Sequence, residues 1–283
     1  MTTISQALRD ARHELLATSP SPAVDASVLL CHVLECSPSH LIAWPDKELS
    51  QHQASQFSDV LQQRIAGKPV AYITGEREFW SLSLKVSSDV LIPRPETETL
   101  VEFVLDNFSN GPALNIVDLG TGSGAIACAL AAEQPQWNII ATDVSAEALT
   151  IAQLNASTHK LENIQFLHGP WFEPLAGLDF DLIISNPPYV ALEDPHLIEG
   201  DVRFEPEAAL ASGKQGMDAI TLLTRQAGNY LKPGGWLIVE HGYDQQQAVD
   251  DCFKQGGFEN MVQLTDLAGQ QRVTAGQYGK LKA

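Results

Sequence analysis

The stretch "LNIVDLGTGSGAIACALAAEQ" (114–134) joins an apolar run to a glycine-rich turn and then to a helix-forming segment. Apolar runs of strand length continue to alternate with helical segments further along the chain, as in "NIIATD" (138–143) and "GWLIVEHG" (235–242). Strands separated by helices of this length pair in parallel through right-handed crossovers and carry helices on both faces. The sequence therefore predicts an α/β fold with a Rossmann-like, doubly wound sheet.

The beginning of the chain follows a different pattern. Apolar residues recur three or four apart in "ISQALRDARHELL" (4–16), "PAVDASVLLCHVLE" (22–35) and "QASQFSDVLQQRIAG" (53–67), which predicts a small helical bundle. In "EFWSLSLKVSSDVLIP" (78–93) apolar and polar residues alternate with period two, which predicts a hairpin. We predict a helical substrate-recognition domain at 1–75, a hairpin linker at 76–92 and the α/β domain at 93–283.

The charge and composition narrow the classes of partner. The formal net charge is -18, with 17 lysines and arginines against 35 aspartates and glutamates. A nucleic-acid backbone is held by several lysine or arginine contacts, so a protein or small-molecule substrate is favoured. No signal peptide or membrane-length apolar run is visible, which predicts a cytoplasmic protein without a membrane partner. Cysteines and histidines lack zinc-site spacing, so no metal is predicted.

The glycine-rich turn predicts a cofactor site. In doubly wound sheets ligands bind beyond the carboxyl ends of the strands. The glycines of "GTGSG" (120–124) let the backbone approach a ligand closely, and Asp143 follows at about the twenty-residue separation of a ribose-binding carboxylate. The same glycine spacing also fits a nicotinamide dinucleotide site. Asp118 just before the turn suits an amino group better than a pyrophosphate, which favours S-adenosylmethionine over NAD.

A second motif, "SNPPY" (185–189), follows a later strand. Each proline restricts the residue before it to extended geometry and lacks an N–H donor. The Asn186 side-chain carbonyl and the Pro187 backbone carbonyl can then accept both hydrogens of an –NH2 group, while Pro188 stiffens the loop and Tyr189 stacks on the planar group. This arrangement favours methylation of an amide or conjugated amine, with Asn186 and Tyr189 as catalytic residues.

With these motifs, the sequence resembles the release-factor glutamine methyltransferases, the PrmC/HemK family. The resemblance rests on "REFWSLSL" (77–84), "LIPRPETE" (91–98), "DLGTGSGAIA" (118–127), "SNPPY" (185–189), "DPHLIEGDVRFEP" (194–206) and "LIVEHG" (237–242). It implies a class I methyltransferase fold with a helical N-terminal domain. It also implies methylation of the side-chain amide nitrogen of the glutamine in the Gly-Gly-Gln loop of class I peptide chain release factors.

The resemblance also implies roles for individual residues. It implies that Trp171 lies against the cofactor, that Asp143 holds its ribose, and that Asn186 contacts both cofactor and glutamine. It also implies that S-adenosylhomocysteine is the product. The implied cradle of the cofactor is Gly120, Thr121, Gly122, Ser123 and Gly124, and the implied glutamine site is Asn186, Pro187, Pro188 and Tyr189. One departure is Pro170, which stands where the family commonly has an acidic residue, so a side-chain contact to the adenine amine is expected to be missing.

Less specific residues surround these motifs. Arg94, Glu96 and Glu98 in "PRPETE" fit either the wall of the substrate pocket or an ordinary helix start at Pro95, and the helix start is favoured for the two glutamates. Arg203 and Glu205 in "DVRFEP" fit either part of a lid or a surface ion pair.

Three other functions are open to the same sequence. An adenine methyltransferase would hold an exocyclic amine in a similar loop, but the acidic charge and the lack of a basic groove count against it. An NAD-dependent oxidoreductase would leave the Asn-Pro-Pro-Tyr motif unexplained. A non-enzymatic module that binds a translation factor would not need the intact pair of acceptors at Asn186 and Pro187.

Overall fold

The structure, a computed structural model, describes residues 2–279. Within this range, residues 2–76 and 199–204 form an N-terminal unit, and residues 77–198 and 205–279 form a C-terminal unit. The sequence pattern assigned segment 199–204 to the α/β domain. Its place in the N-terminal unit results from tertiary contacts, which no local pattern indicates. No helix of the described part is long and apolar enough to cross a membrane.

The N-terminal unit is helical. Its helices in the described part are α1 Ile4–Glu14, α2 Pro22–Leu34, α3 Pro38–Ala43, α4 Gln51–Ile65 and α5 Val70–Thr74. The three predicted helices are confirmed, with ends that differ by one or two residues. Helices α3 and α5 were not predicted, because six and five residues are too few to display a helical period.

The buried Arg64 side chain ties segment 199–204 to the rest of the N-terminal unit. The Arg64 side chain is only 2% exposed, and its Nε donates to Asp25 Oδ2 at 2.7 Å. Its Nη1 donates to Asp201 Oδ1 at 2.7 Å. The hydroxyls of Ser19 and Ser21 also donate to Asp25, at 2.7 and 2.9 Å. Because the charges are paired and hydrogen-bonded, the unit tolerates their burial.

Helix α4 begins at a capping box that offers a test of local stability. Ser50 Oγ accepts from the Gln53 N–H at 3.2 Å, and Gln53 Oε1 accepts from the Ser50 N–H at 3.0 Å. Ser50→Ala should lower the free energy of unfolding by about 1 kcal/mol, because one N–H of the first turn loses its acceptor. Ser55→Ala, at an exposed position inside the same helix, should be neutral or slightly stabilising. Urea denaturation of both variants measures the difference, and equal values would contradict the capping role.

The C-terminal unit opens with the predicted hairpin. Strands β1 (Glu76–Phe79) and β2 (Leu82–Lys85) form a two-stranded sheet. Trp80 and Ser81 make the turn between them with φ values of 50° and 61°. Positive φ at both central residues gives a turn whose twist matches that of a hairpin. The hairpin is confirmed, and its role as a linker stays a prediction.

The remainder of the unit is a single sheet with helices. Its strands are β3 Asn115–Leu119, β4 Asn138–Asp143, β5 Ile164–His168, β6 Phe180–Ser185, β7 Leu231–Glu240, β8 Phe258–Thr265 and β9 Gln271–Tyr278. Its α-helices are α6 Glu98–Phe108, α7 Ala125–Glu133, α8 Ala146–Thr158, α9 Asp218–Gln226 and α10 Gln246–Gly256. The strand order is β5-β4-β3-β6-β7-β9-β8, and β3 to β7 pair in parallel. The Rossmann-like α/β prediction is confirmed.

The last two strands depart from the parallel pattern. Strand β9 is antiparallel to both β7 and β8 and lies between them. Only a short turn joins β8 to β9, and a parallel connection needs a dozen or more residues. Parallel pairing was therefore the wrong expectation for this edge of the sheet.

Alternation along the central strands buries both faces. Ile116 of β3 and Ile184 of β6 pack in one hydrophobic cluster, whereas Val117 and Ile183 pack in another. Successive residues of a strand point to opposite faces, so each cluster belongs to one face. Because both faces of the sheet are covered, a ligand is expected to bind at the carboxyl edge of the sheet, beyond the ends of the parallel strands.

Candidate active site

The glycine-rich loop turns the chain from β3 into α7 at this edge. The N–H groups of Gly120 and Thr121 both donate to the carbonyl of Thr142 at 2.9 Å, which ties the loop to β4. Gly124, with φ 80°, precedes α7, and a Cβ added there would lie 3.0 Å from the Cβ of Ala152 in α8. Glycine thus permits both the positive φ and the close approach of the helix.

Asp143 ends β4 beside this loop. Its Oδ2 accepts from the Gly122 N–H, and its Oδ1 accepts from the Ser145 N–H, both at 2.9 Å. These bonds hold the carboxylate in one orientation at the wall of the cavity described below. Its oxygens keep further lone pairs that can accept from hydroxyl groups.

Asp118 lies in β3, two residues before Gly120, and is only 1% exposed. Its Oδ2 accepts from the Thr121 hydroxyl at 2.6 Å, while its Oδ1 has no partner of full hydrogen-bond geometry among the described residues. Burial raises the pKa of Asp118 to about 7, the hydrogen bonds from the Thr121 hydroxyl and the Ala127 N–H oppose this change, and the negative charge of Asp143 adds to it. A buried carboxyl oxygen without such a partner is a ready acceptor for a cationic donor.

The raised pKa of Asp118 predicts a pH dependence of stability. The folded protein holds this proton more tightly than the unfolded chain, so the stabilisation is complete below pH 4 and is lost as the pH rises through about 7. Asp118→Asn should remove this contribution, which is roughly 2 kcal/mol between pH 5 and 7. Unfolding free energies of both proteins across that range measure it. Parallel curves would show that Asp118 does not titrate in this way.

The Asn-Pro-Pro-Tyr motif follows β6 next to the glycine loop. The Ser185 hydroxyl donates to the Leu119 carbonyl at 2.7 Å and so ties the ends of β6 and β3 together. Asn186 Nδ2 donates to Thr97 Oγ1 at 3.1 Å. This bond fixes the orientation of the amide and uses one of its two N–H groups, and the side-chain oxygen keeps its lone pairs to accept from a ligand.

Tyr189 is held by hydrogen bonds at its side-chain hydroxyl and at its backbone carbonyl. Its hydroxyl donates to Glu240 Oε1 at 3.2 Å, and its backbone oxygen accepts from Gln245 Nε2 at 2.8 Å. Burial and the neighbouring Glu240 carboxyl raise the pKa of Tyr189, so the phenol stays protonated. The ring packs against the hydrophobic cluster that contains Val117 and Ile183.

A cavity of about 470 Å³ lies at this edge of the sheet. Of the predicted site residues, those that line it are Gly120, Thr121, Gly122, Ser123, Asp143, Trp171, Asn186 and Pro188. Gly124, Pro187 and Tyr189 are not among the described residues of its wall. The structure thus brings the glycine loop, the Asp143 carboxylate and the Asn186 amide to one cavity.

Trp171 closes one side of this cavity. A Cβ added at Gly120 would lie 3.6 Å from Trp171 Cζ3, so the indole lies over the loop backbone. Trp171 has a φ of 47°, an uncommon conformation for a bulky residue that often marks a functional position. Pro170 beside it also lines the cavity and brings no polar side-chain group there.

Further residues complete the wall of the cavity, and Arg94 is one of the three residues for which the sequence offered such a place. Pro93, Arg94 and Thr97 line the cavity, as do Pro206, Ala208 and Ala209. Arg94 Nη2 donates to Glu205 Oε1 at 2.5 Å, and the Ile92 N–H donates to Glu205 Oε2 at 3.2 Å. Arg94 and Glu205 both lie in motifs that carry the family resemblance. Their shared membership in those motifs is the one sequence feature that suggests an interaction between them.

Arg203 is held by contacts with Ala66 and Phe204. Its Nη2 donates to the Ala66 carbonyl at 3.2 Å, and its guanidinium lies 5.0 Å from the ring centroid of Phe204. These contacts lie within the N-terminal unit, whereas Glu205 belongs to the C-terminal unit. The lid and ion-pair interpretations of Arg203 and Glu205 stay predictions.

His241 is a structural histidine in the described unit. Its Nδ1 lies 2.9 Å from the Gly242 carbonyl and its Nε2 lies 2.9 Å from Thr274 Oγ1. Burial lowers the pKa of His241, which favours the neutral ring. Within residues 2–279, no three His, Cys, Asp or Glu side chains group in a way that could hold a metal ion.

Two protein families match the chain. Residues 6–75 match the family described as PrmC N-terminal domain. Residues 96–199 match the family described as Methyltransferase small domain. The second match spans the glycine loop, Asp143 and the Asn-Pro-Pro-Tyr motif.

Relatives match along nearly the whole length. A release factor glutamine methyltransferase of Vibrio cholerae is 49% identical over 278 residues, which cover 98% of this chain and 97% of the relative. A protein of the same name from Aliivibrio fischeri is 48% identical over 264 residues, which cover 93% of each chain.

Solved structures share the fold at low identity. The catalytic domain of hMettl16, in complex with a MAT2A 3'UTR hairpin, has a TM-score of 0.56 at 18% identity and covers 79% of this chain and 83% of that chain. A methyltransferase from Pyrococcus furiosus has a TM-score of 0.54 at 16% identity and covers 79% and 100%. At these identities the likeness shows the methyltransferase fold alone.

Proposed function

Since this chain belongs to the release factor glutamine methyltransferase family, we propose that it methylates the side-chain amide nitrogen of the Gly-Gly-Gln glutamine in class I peptide chain release factors. One observation carries the proposal. The Asn186 amide lies in the same cavity as the glycine loop, with its nitrogen engaged by Thr97 and its oxygen left as an acceptor. A planar –NH2 group is the ligand that such an acceptor recognises.

The chain's residues fit S-adenosylmethionine as methyl donor. Asp143 lines the cavity and has acceptor capacity for ribose hydroxyls, and the buried Asp118 behind the glycine loop has an oxygen without a partner of full hydrogen-bond geometry, which suits a cationic amino group. The proposed cradle is the loop Gly120, Thr121, Gly122, Ser123 and Gly124, and Trp171 is the proposed wall. When bound, the cofactor supplies an electrophilic methyl group on sulfur and leaves as S-adenosylhomocysteine.

The proposed role of the motif is to orient a weak nucleophile. The lone pair of an amide nitrogen is delocalised into the carbonyl, so the reaction depends on geometry more than on a base. Asn186 Oδ1 and the Pro187 carbonyl accept the two amide hydrogens and turn the nitrogen toward the methyl donor. The same acceptors stabilise the positive charge that develops on nitrogen before one proton leaves to solvent. Tyr189 keeps the loop in place through its hydrogen bonds with Glu240 and Gln245.

We assign the grip on the release factor to the N-terminal unit. Ile42 and Trp44 are 81% and 60% exposed, and large apolar side chains at such exposure are available to a partner protein. A cytoplasmic location stays a prediction from the sequence. The nucleic-acid alternative gains no support from the site, since no observation favours an adenine over an amide.

Mass spectrometry of a class I release factor tests the proposal. The factor is incubated with this protein and S-adenosylmethionine, beside a factor whose loop glutamine is replaced by alanine. A mass increase of one methyl group on that glutamine, absent from the replaced factor, is the expected result. Unmethylated factor despite calorimetrically measured cofactor binding would overturn the substrate assignment while leaving the cofactor site intact.

A further inference from the structure

A buried carboxyl group, that of Glu240, contacts the Asn-Pro-Pro-Tyr motif through Tyr189. Glu240, the last residue of β7, is 1% exposed and is not among the described residues of the cavity wall. Its Oε1 accepts from the Tyr189 hydroxyl at 3.2 Å. The Thr97 hydroxyl is near enough to lower the pKa of the carboxyl by hydrogen bonding, although Oε2 has no partner of full hydrogen-bond geometry among the described residues.

Thr97 connects this carboxyl group to the proposed substrate-binding amide. Its Oγ1 accepts from Asn186 Nδ2 at 3.1 Å. A hydroxyl that accepts from an amide keeps its own proton to donate, and the Glu240 carboxylate is the acceptor beside it. Because Oγ1 accepts from Asn186, the proton of the Thr97 hydroxyl is left to interact with the neighbouring Glu240 carboxyl, whose pKa it lowers.

We infer that Glu240 is a positioning residue that, through Thr97, holds the Asn186 amide with its oxygen toward the cavity and, through Tyr189, fixes the end of the same loop. This inference rests on the proposed function. Without a carboxylate acceptor, the Thr97 hydroxyl is free to donate to Asn186 Oδ1, and the amide can turn its nitrogen toward the cavity. An –NH2 substrate would then meet donors instead of acceptors.

The charged surroundings of Glu240 set the pH range of this arrangement. Burial raises the pKa of Glu240 to about 7, against the hydrogen bonds of Thr97 and Tyr189 and the positive charge of Arg272, while Glu96 adds to the rise. Arg272 is itself paired, through Nε, with Asp266 Oδ2 at 3.0 Å. A protonated Glu240 accepts less strongly, so kcat should decline as the pH falls below about 7.

Four variants test the inference by enzyme kinetics on a release factor. Glu240→Gln and Thr97→Val should lower kcat by about 10- to 100-fold, since a misplaced reacting group costs up to about that much. The dissociation constant for S-adenosylmethionine should stay within about twofold, because neither residue belongs to the proposed cofactor cradle. Thr97→Ser keeps the hydroxyl and should retain most of the activity. Thr224→Val removes another buried threonine hydroxyl, bonded to Ile220, and serves as the control with unchanged kcat.

Two further readouts separate positioning from folding. The decline of kcat below pH 7 should be absent from Glu240→Gln, and the side-chain amide ¹⁵N–H signals of Asn186 should shift in both Glu240→Gln and Thr97→Val. Wild-type kcat in Glu240→Gln, or equal losses in Thr97→Ser and Thr97→Val, would overturn the inference. If the wild-type protein methylates no release factor, the proposed function fails, and unshifted Asn186 signals would then overturn the inference on their own.

Discussion

Replacement of Asn186 by alanine is expected to lower kcat for glutamine methylation by about 10²- to 10³-fold, with cofactor affinity changed only a few-fold. The side-chain oxygen keeps its lone pairs to accept from a ligand, since it is Asn186 Nδ2 that donates to Thr97 Oγ1, at 3.1 Å. Its removal takes away both an acceptor that orients the nucleophile and one that stabilises its developing charge. The Pro187 carbonyl alone cannot fix the plane of an –NH2 group.

The measurement separates kcat from binding. Initial rates with release factor give kcat and KM, and isothermal titration calorimetry gives the dissociation constant for S-adenosylmethionine. Asn107→Ala is the matched control, because Asn107 is an exposed residue of α6 whose Nδ2 donates to the Phe103 carbonyl at 2.8 Å. A kcat within a few-fold of wild type in Asn186→Ala would exclude this amide as the orienting group.

The parts of the site that the sequence predicts are those built from consecutive residues. The glycines form a turn and Asp143 ends a strand, and the spacing between them predicts a cofactor site. In the structure, the turn and Asp143 line the same cavity as Asn186. Pro187 and Pro188 likewise restrict only the backbone of the residue that precedes each of them. Local patterns therefore predict several of the groups that line the cavity and the α/β class of the fold.

The parts that the sequence does not predict depend on distant contacts. Thr97 reaches Asn186 across 89 positions, and Tyr189 reaches Glu240 across 51. Neither spacing has a period or a composition that a single sequence reveals. The antiparallel position of β9 and the membership of segment 199–204 in the N-terminal unit are of the same kind. Residues that hold the loop in place are thus found only from the packed structure.

Gly216 supports the motif from outside it, and Gly216→Ala is expected to be severely disruptive. Gly216 has a φ of 70°, and a Cβ added there would overlap the backbone oxygen of Tyr189 and lie 2.8 Å from Gln245 Nε2. That amide donates to the same Tyr189 oxygen at 2.8 Å, so the methyl group would displace both partners of the bond. We expect a loss of about 2–5 kcal/mol of unfolding free energy, from the positive φ and the overpacking together.

Gly177→Ala provides the matched control for the backbone cost. Gly177 has a φ of 81°, and an added Cβ would meet nothing within 4 Å, so only the conformational penalty of about 1–2 kcal/mol applies. Chemical denaturation of both variants isolates the steric part of the Gly216→Ala effect. Because displacement of Tyr189 moves the loop that carries Asn186, kcat should also fall by about 10²-fold in Gly216→Ala alone. Equal stability and activity of the two variants would mean that the Tyr189 carbonyl yields without moving Asn186, and the loop would then not be the rigid acceptor that the two prolines predict.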